Sequence, residues 1–235
     1  MQKKINYWKR HYQQNINNFP DDLIKQVDKT IDKHPVGIDQ INLMAKLIKK
    51  NLDLKQDYQL LDLCCGNGVI TEKIGKFVKK VIAIDISEDL INIAKKYNRN
   101  NNIRYIRKNI LKINNFFLYK FRYMYMHEAL QLFEYNDFKL FLKKFSSVNL
   151  PIKILLMSIP DKSKIFLYYN TEEKKNFFQN TIFEDKPHMG KWWEKKELKN
   201  LANSCGFACE FLKKNSNIFN SYYRFDAMLK KKIYK

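Results

Sequence analysis

Glycine and proline are scarce in this 235-residue chain, at six and five, which excludes a collagen-like or long disordered tract. Cysteine is confined to Cys64, Cys65, Cys205 and Cys209, and no Cys-x-x-Cys spacing occurs. A structural zinc site is therefore not expected, nor any other metal. Thiols without a pairing framework suit a reducing compartment. No run of about 18 apolar residues is present, and the charged N-terminus lacks the apolar stretch of an export signal. The expectation is a cytoplasmic protein with no membrane partner.

Arginine is also rare, since 38 of the 44 basic residues are lysine. The net charge of +20 would attract phosphates whatever their sequence. Yet the lysines are scattered in pairs along polar faces, as at Lys49-Lys50, Lys79-Lys80, Lys95-Lys96, Lys143-Lys144 and Lys213-Lys214, with one run from Lys230 to Lys232. That scatter reads as compositional bias, so a nucleic-acid partner is not expected. What the chain has in quantity is 45% hydrophobic and 14% aromatic residues, ample for a packed core.

Residues 1–50 read as polar helices, with apolar positions at Leu23, Ile24, Val27 and Ile31, then at Ile41, Leu43, Met44, Leu47 and Ile48. Pro35-Val36-Gly37 separates the two sets. From Gln59 onward, short apolar runs alternate with amphipathic segments: Leu60 to Leu63, Val69 to Val78, Val81 to Asp85, Glu88 to Tyr97, Ile103 to Arg107. Such alternation marks βαβ units with right-handed crossovers. Further strands are expected at Phe121 to Met126, Ile152 to Ile159, Ala208 to Lys213 and Arg224 to Lys230, and helices near Tyr135 to Val148 and Glu194 to Ser204. The fold class predicted is α/β: a Rossmann-like, seven-stranded, mostly parallel sheet with helices on both faces and an N-terminal helical lid. The expected division is a lid over 1–50 and an α/β domain over 51–235. A cap falls at about 161–193, where aromatic and charged residues fit neither period.

The densest signal is Gln59-Leu60-Leu61-Asp62-Leu63-Cys64-Cys65-Gly66-Asn67-Gly68-Val69-Ile70, which reads as strand, tight turn, helix. Glycines there let the backbone approach a ligand closely, while free N–H groups of the helix start face it. The next strand ends at Asp85, twenty-three residues beyond Asp62, where a carboxylate can accept both hydroxyls of a ribose. The turn lacks the third glycine of a dinucleotide cradle, which favours a nucleoside ligand without a pyrophosphate.

Leu-Asp-Leu-Cys-Cys-Gly-Asn-Gly resembles motif I of the class I S-adenosylmethionine (SAM) methyltransferases, and the resemblance extends from about Gln26 to the end of the chain. Cys64 stands where that motif usually has its first glycine. The resemblance implies SAM as cofactor, with Asp62 stabilising the loop, Cys64, Gly66 and Gly68 beneath the methionine part, and Asp85 and Ile86 at the ribose. It places Asn109 at the adenine amino edge, Ile110 on the adenine face and Met126 beside the cofactor. Asn109 has an ordinary alternative as a turn residue. An N-terminal segment covers the cofactor in relatives, with Tyr7, Trp8, Lys29 and Thr30 as the residues here to touch it.

The fourth strand exits through Tyr125-Met126-His127-Glu128-Ala129-Leu130-Gln131, at the edge where open α/β sheets bind ligands. Neither the Asp/Asn-Pro-Pro-Tyr of base-amine methyltransferases nor the Pro-Cys of cytosine C5 enzymes stands there. His127 is the candidate general base, because a near-neutral imidazole can take a hydroxyl proton; a hydrogen-bonded rim histidine is the alternative reading. His188 is a second candidate. Tyr125, Glu128, Gln131, Trp192, Tyr223 and Arg224 are the expected acceptor contacts, with Arg224 suited to clamping an anion. The later segments are similar to small-molecule methyltransferases of bacterial surface-polysaccharide clusters, including capsule phosphoramidate modification. The function expected is methyl transfer to a small polar, anionic or sugar- or nucleotide-linked acceptor, at oxygen rather than nitrogen, by a monomer or homodimer. An RNA methyltransferase and a non-catalytic scaffold are the competing readings.

Overall fold

The central strands are buried on both faces, and each face recruits its own layer of helices. A computed structural model describes residues 2–183 and 188–231. Its elements are α1 (Gln2–Asn18), α2 (Ile38–Leu52), β1 (Gln59–Leu63), α3 (Val69–Gly75), β2 (Lys80–Asp85), α4 (Glu88–Tyr97), β3 (Ile103–Arg107), β4 (Tyr123–His127), α5 (Tyr135–Lys143), β5 (Lys153–Pro160), α6 (Glu172–Phe183), α7 (Lys195–Ser204), β6 (Phe207–Leu212) and β7 (Arg224–Lys231). The sheet runs β3-β2-β1-β4-β5-β7-β6. β1 pairs in parallel with β2 and β4, and β7 runs antiparallel to both β5 and β6. The seven-stranded, mostly parallel sheet expected from the alternation is therefore what forms.

Period-two alternation divides the core. Leu61, Leu63, Met124, Met126, Ile154 and Leu156 face Phe138 and Phe141 of α5 and Leu198 and Leu201 of α7. Their neighbours Leu60, Tyr125, Leu155 and Met157 face Ile41, Met44 and Ile48 of α2 and Ile74 of α3. Chain order turns back between β1 and β4, which opens a crevice at the carboxyl ends of those strands.

Two expectations need correction. The apolar residues between Leu23 and Ile31 do not make a helix. Asp22 Oδ1 accepts from the backbone N–H groups of Ile24 and Lys25, a local bond that competes with helix propagation. The segment becomes a 3₁₀ turn (Lys25–Val27) and a two-residue hairpin, Thr30–Ile31 with His34–Pro35. Asp32 and Lys33 at its corner have φ of 46° and 68°, the primed turn that suits strand twist. The N-terminal helix lies earlier, over Gln2–Asn18, where Ile5, Trp8, Tyr12 and Ile16 recur at helical spacing.

α2 packs into the core with Ile41, Met44, Ala45, Ile48 and Leu52 all buried, so only α1 and the turns up to about residue 36 overhang the crevice. Segment 161–193 carries a short helix, Ile165–Tyr168, and α6; residues 184–187 lie outside the described residues. Asp161 and Trp193 bridge to each other, so the excursion leaves and rejoins the sheet at one place. Among the described residues no helix is long and apolar enough to cross a membrane.

Candidate active site

Two adjoining cavities open along the crevice, enclosing about 580 Å³ and 790 Å³ of space that is continuous with solvent. The first is lined by Asp62, Cys64, Cys65, Gly66, Tyr125, His127, Glu128 and Lys29 among others. The second is lined by Ile86, Asn109, Ile110, Trp8 and Ile5 among others. Four residues belong to both walls: Tyr12, Cys64, Asp85 and Leu132.

Asp85 holds the join. Its Oδ2 accepts from Gly66 N at 2.9 Å and its Oδ1 from Ser87 N at 2.8 Å, which fixes the carboxylate while leaving each oxygen a second acceptor direction. Burial pushes its pKa up, opposed by the backbone N–H bonds from Ser87, Gly66 and Ile86.

The loop before α3 is built on left-handed backbone. Cys64, Gly66 and Gly68 have φ of 63°, 58° and 78°. A Cβ at Gly68 would lie 2.5 Å from Tyr105 Oη, so this glycine admits Tyr105 rather than a ligand and lines neither cavity. Tyr105 donates to Asn98 O, and Asn98 Nδ2 donates to Asn67 O, bracing the loop from behind. Cys64 adopts the glycine-favouring conformation with a side chain in place. Left-handed backbone costs a non-glycine residue about 1 kcal/mol. Cys64→Gly is expected to leave the melting temperature nearly unchanged, because strain relief offsets lost packing, whereas Cys64→Val is expected to destabilise by about 2 kcal/mol, a β-branched residue being least tolerated there. Equal losses in thermal denaturation would remove backbone strain as the issue.

β1 and β4 pair Asp62 with Tyr125. Tyr125 and Thr71 both donate to Asp62 Oδ2, the latter at 2.6 Å. Burial pushes the Asp62 pKa up to about 7, against those two hydroxyl bonds. The Tyr125 hydroxyl, expected to meet an acceptor, is thus committed to Asp62.

His127 ends β4 and is buried. Neither ring nitrogen has a hydrogen-bond partner among the described residues, and Glu128 Oε2 lies 3.8 Å from Nδ1. Burial and then Lys29 hold its pKa well below the usual imidazole value, with Glu128 pulling the other way. The ring is neutral at neutral pH. Glu128, at φ 52°, pairs with Lys29 Nζ at 2.6 Å and accepts from Asn220 Nδ2. Burial works against the Glu128 carboxylate, but the Lys29 ammonium and the Arg224 guanidinium outweigh it and keep it ionised.

Behind this wall Ser158, at φ 57° in a bulge of β5, receives Lys214 Nζ at 2.9 Å, while its N–H donates to Asp226. Arg224 Nη1 donates to Ser158 O. Arg224 is buried as a brace and does not line either cavity.

Several expected residues sit elsewhere. Met126 turns into the α5–α7 core, because strand alternation sends it opposite to Tyr125 and His127. Thr30 is held in the hairpin against Pro35, and its neighbour Lys29 reaches the cavity instead. Gln131 O accepts from Lys191 N, and Gly190 packs against it, so this residue anchors the end of the cap. His188, Trp192 and Tyr223 join Tyr168 and Tyr169 in a separate aromatic cluster. There His188 Nδ1 is 3.0 Å from Tyr169 Oη. Asn109 lines the second cavity, and its Oδ1 also accepts from Leu111 N at 2.9 Å. Tyr12 lies on both walls yet drew no notice in the sequence, although its i,i+4 spacing from Trp8 puts both on one helix face.

Comparison with known proteins gives a match to the family described as "Methyltransferase domain" over residues 60–151. A stretch of 56 residues is 38% identical to the mitochondrial ubiquinone biosynthesis O-methyltransferase of Saccharomyces cerevisiae, covering 23% of this chain and 18% of that protein. Another, of 77 residues, is 29% identical to ribosomal RNA small subunit methyltransferase A of Mycoplasma capricolum, covering 33% and 29%. The match thus spans less than a third of either relative. Among solved structures, magnesium protoporphyrin IX methyltransferase from Synechocystis PCC 6803 with bound S-adenosylhomocysteine (SAH) aligns with a TM-score of 0.58 at 12% identity, covering 83% of each chain. A SAM-dependent methyltransferase from Methanosarcina mazei aligns at 0.58 and 17%, covering 80% of this chain and 98% of that one.

Proposed function

From a chain that has the class I methyltransferase fold, with a methyltransferase domain over residues 60–151, we propose a SAM-dependent enzyme that methylates a small polar acceptor at oxygen. The observation that carries this is the position of Asp85, fixed by two backbone N–H groups where two cavities meet. A nucleoside with a chain on its 5′ carbon needs that layout: base on one side, ribose at the carboxylate, chain on the other. The wider cavity, with Ile86, Asn109, Ile110 and Trp8, suits adenine, and the narrower one suits the amino-acid chain. SAM supplies an electrophilic methyl on a sulfonium.

The residues do the rest. His127, neutral and with no hydrogen-bond partner on its ring among the described residues, is placed to accept a hydroxyl proton, and the ionised Glu128 beside it favours the imidazolium that results. Lys29 ties the turn after α1 to Glu128, so α1 and that turn act as a lid that excludes water. Positioning in line with the leaving sulfur supplies much of the acceleration. The charged lining of the first cavity is Lys29, already paired with Glu128, beside Asp62 and Asp85, a lining that suits a hydroxylated polar acceptor. Acceptors of the surface-polysaccharide kind, sugar- or nucleotide-linked, are the first to assay.

Calorimetry with SAM and SAH tests the cofactor assignment. Micromolar binding of both, with methyl transfer to a hydroxylated polar acceptor, is the expected result. Binding of neither would overturn it, and binding to RNA that weakens steeply with salt would favour an RNA acceptor.

A further inference from the structure

Resting on that cofactor reading, we infer that Tyr12 is the residue that senses the sulfonium charge, so that the site tells SAM from SAH. Sulfur is the atom that joins the nucleoside half of SAM to its amino-acid half. It must therefore lie where the two cavities join. The residues common to both walls there are Tyr12, Cys64, Asp85 and Leu132. Asp85 is held by Gly66 and Ser87 at the ribose position, and Cys64 forms the floor of the loop. Leu132 is apolar. Tyr12 alone among the four descends from the lid.

Its chemistry suits the task. Burial and the nearby carboxylates of Asp28, Asp85 and Glu128 keep the phenol protonated. An uncharged phenol is electron-rich at both ring face and oxygen, and a desolvated ligand cation beside an aromatic ring gains about 0.5–2 kcal/mol. The gain exists only while sulfur is positive. After methyl transfer the thioether of SAH is neutral, and nothing replaces it.

The ring is also fixed in place. Tyr12 contacts His11 edge-on at 5.2 Å and Trp8 at 6.3 Å between centroids. His11 Nε2 meets Asp28 Oδ2 at 2.7 Å, and Asn15 Nδ2 donates to Asp28 Oδ1 at 2.7 Å. These bonds tie α1 to the turn that carries Lys29, so lid position and ring position are set together.

Calorimetric titration of wild type, Tyr12→Leu and Tyr12→Phe with SAM and with SAH tests the assignment. Tyr12→Leu is expected to weaken SAM about 3- to 30-fold and leave SAH within about twofold, while Tyr12→Phe keeps most of the preference. SAH binding reports in the same titration that each variant is folded. Equal weakening of both ligands, or no change in either, would overturn the role of Tyr12 while leaving the cofactor reading intact. Failure of wild type to bind either ligand would overturn both.

Discussion

Replacing Asp85 by alanine is expected to weaken SAM and SAH binding alike by about 100-fold or more. Hydrogen bonds to a charged partner are worth about 1.5–3 kcal/mol each, and two ribose hydroxyls depend on this carboxylate in the proposed pose. A tenfold change corresponds to about 1.4 kcal/mol, so two such bonds reach that figure. The variant also strands the N–H groups of Gly66 and Ser87, now 2.9 and 2.8 Å from the carboxylate oxygens. Some loss of thermal stability should accompany the loss of affinity. Asp85→Asn keeps one acceptor oxygen and should fall between. Calorimetry decides, and a loss below about fivefold in the alanine variant would remove Asp85 from the ribose position.

Removing the His127 imidazole should do the reverse, sparing cofactor binding and cutting turnover. His127→Ala is expected to lower kcat by about 10²- to 10⁴-fold while the SAM Kd stays within about threefold. The pH profile gives a second readout. Burial and Lys29 hold the imidazole pKa below its usual value, so the neutral, proton-accepting form is already dominant at neutral pH. Activity should be flat from neutral pH upward and fall as pH drops through that lowered pKa. In the alanine variant the acid limb should vanish. Parallel loss of turnover and cofactor affinity would mean that His127 is a structural part of the pocket.

The sheet was legible because each strand and helix of the βαβ run carries its own period, and the crossovers follow from handedness. Glu88 to Tyr97 reads as a helix and is one, with Ser87 accepting from Leu90 N at its start. The helix through Ile41 to Ile48 was legible too, but the stretch from Leu23 to Ile31 was not, for a local reason: Asp22 and the Asp32-Lys33 corner redirect residues whose apolar spacing is helical. At the site, Asp62, Cys64, Gly66, Asp85, Ile86, Asn109, Ile110, His127 and Glu128 come to one crevice because they sit at the carboxyl ends of β1 to β4 or in the loops that follow, and Trp8 reaches it from α1. His188, Trp192, Tyr223 and Arg224 did not follow. Their residue types suit binding and brace packing equally, and only three-dimensional contacts separate the two.

Cys64, Glu128 and Ser158 share a backbone conformation that side chains disfavour, and they stand at or near the carboxyl ends of β1, β4 and β5, three adjacent strands. Conformational strain is thus concentrated along one rim of an otherwise regular sheet. Each such residue carries a cost of about 1–3 kcal/mol. Amide exchange in the sheet should therefore be fastest at that rim, where local opening is least opposed. A molecule lodged there would slow exchange at all three strand ends together, making the rim its own reporter of occupancy.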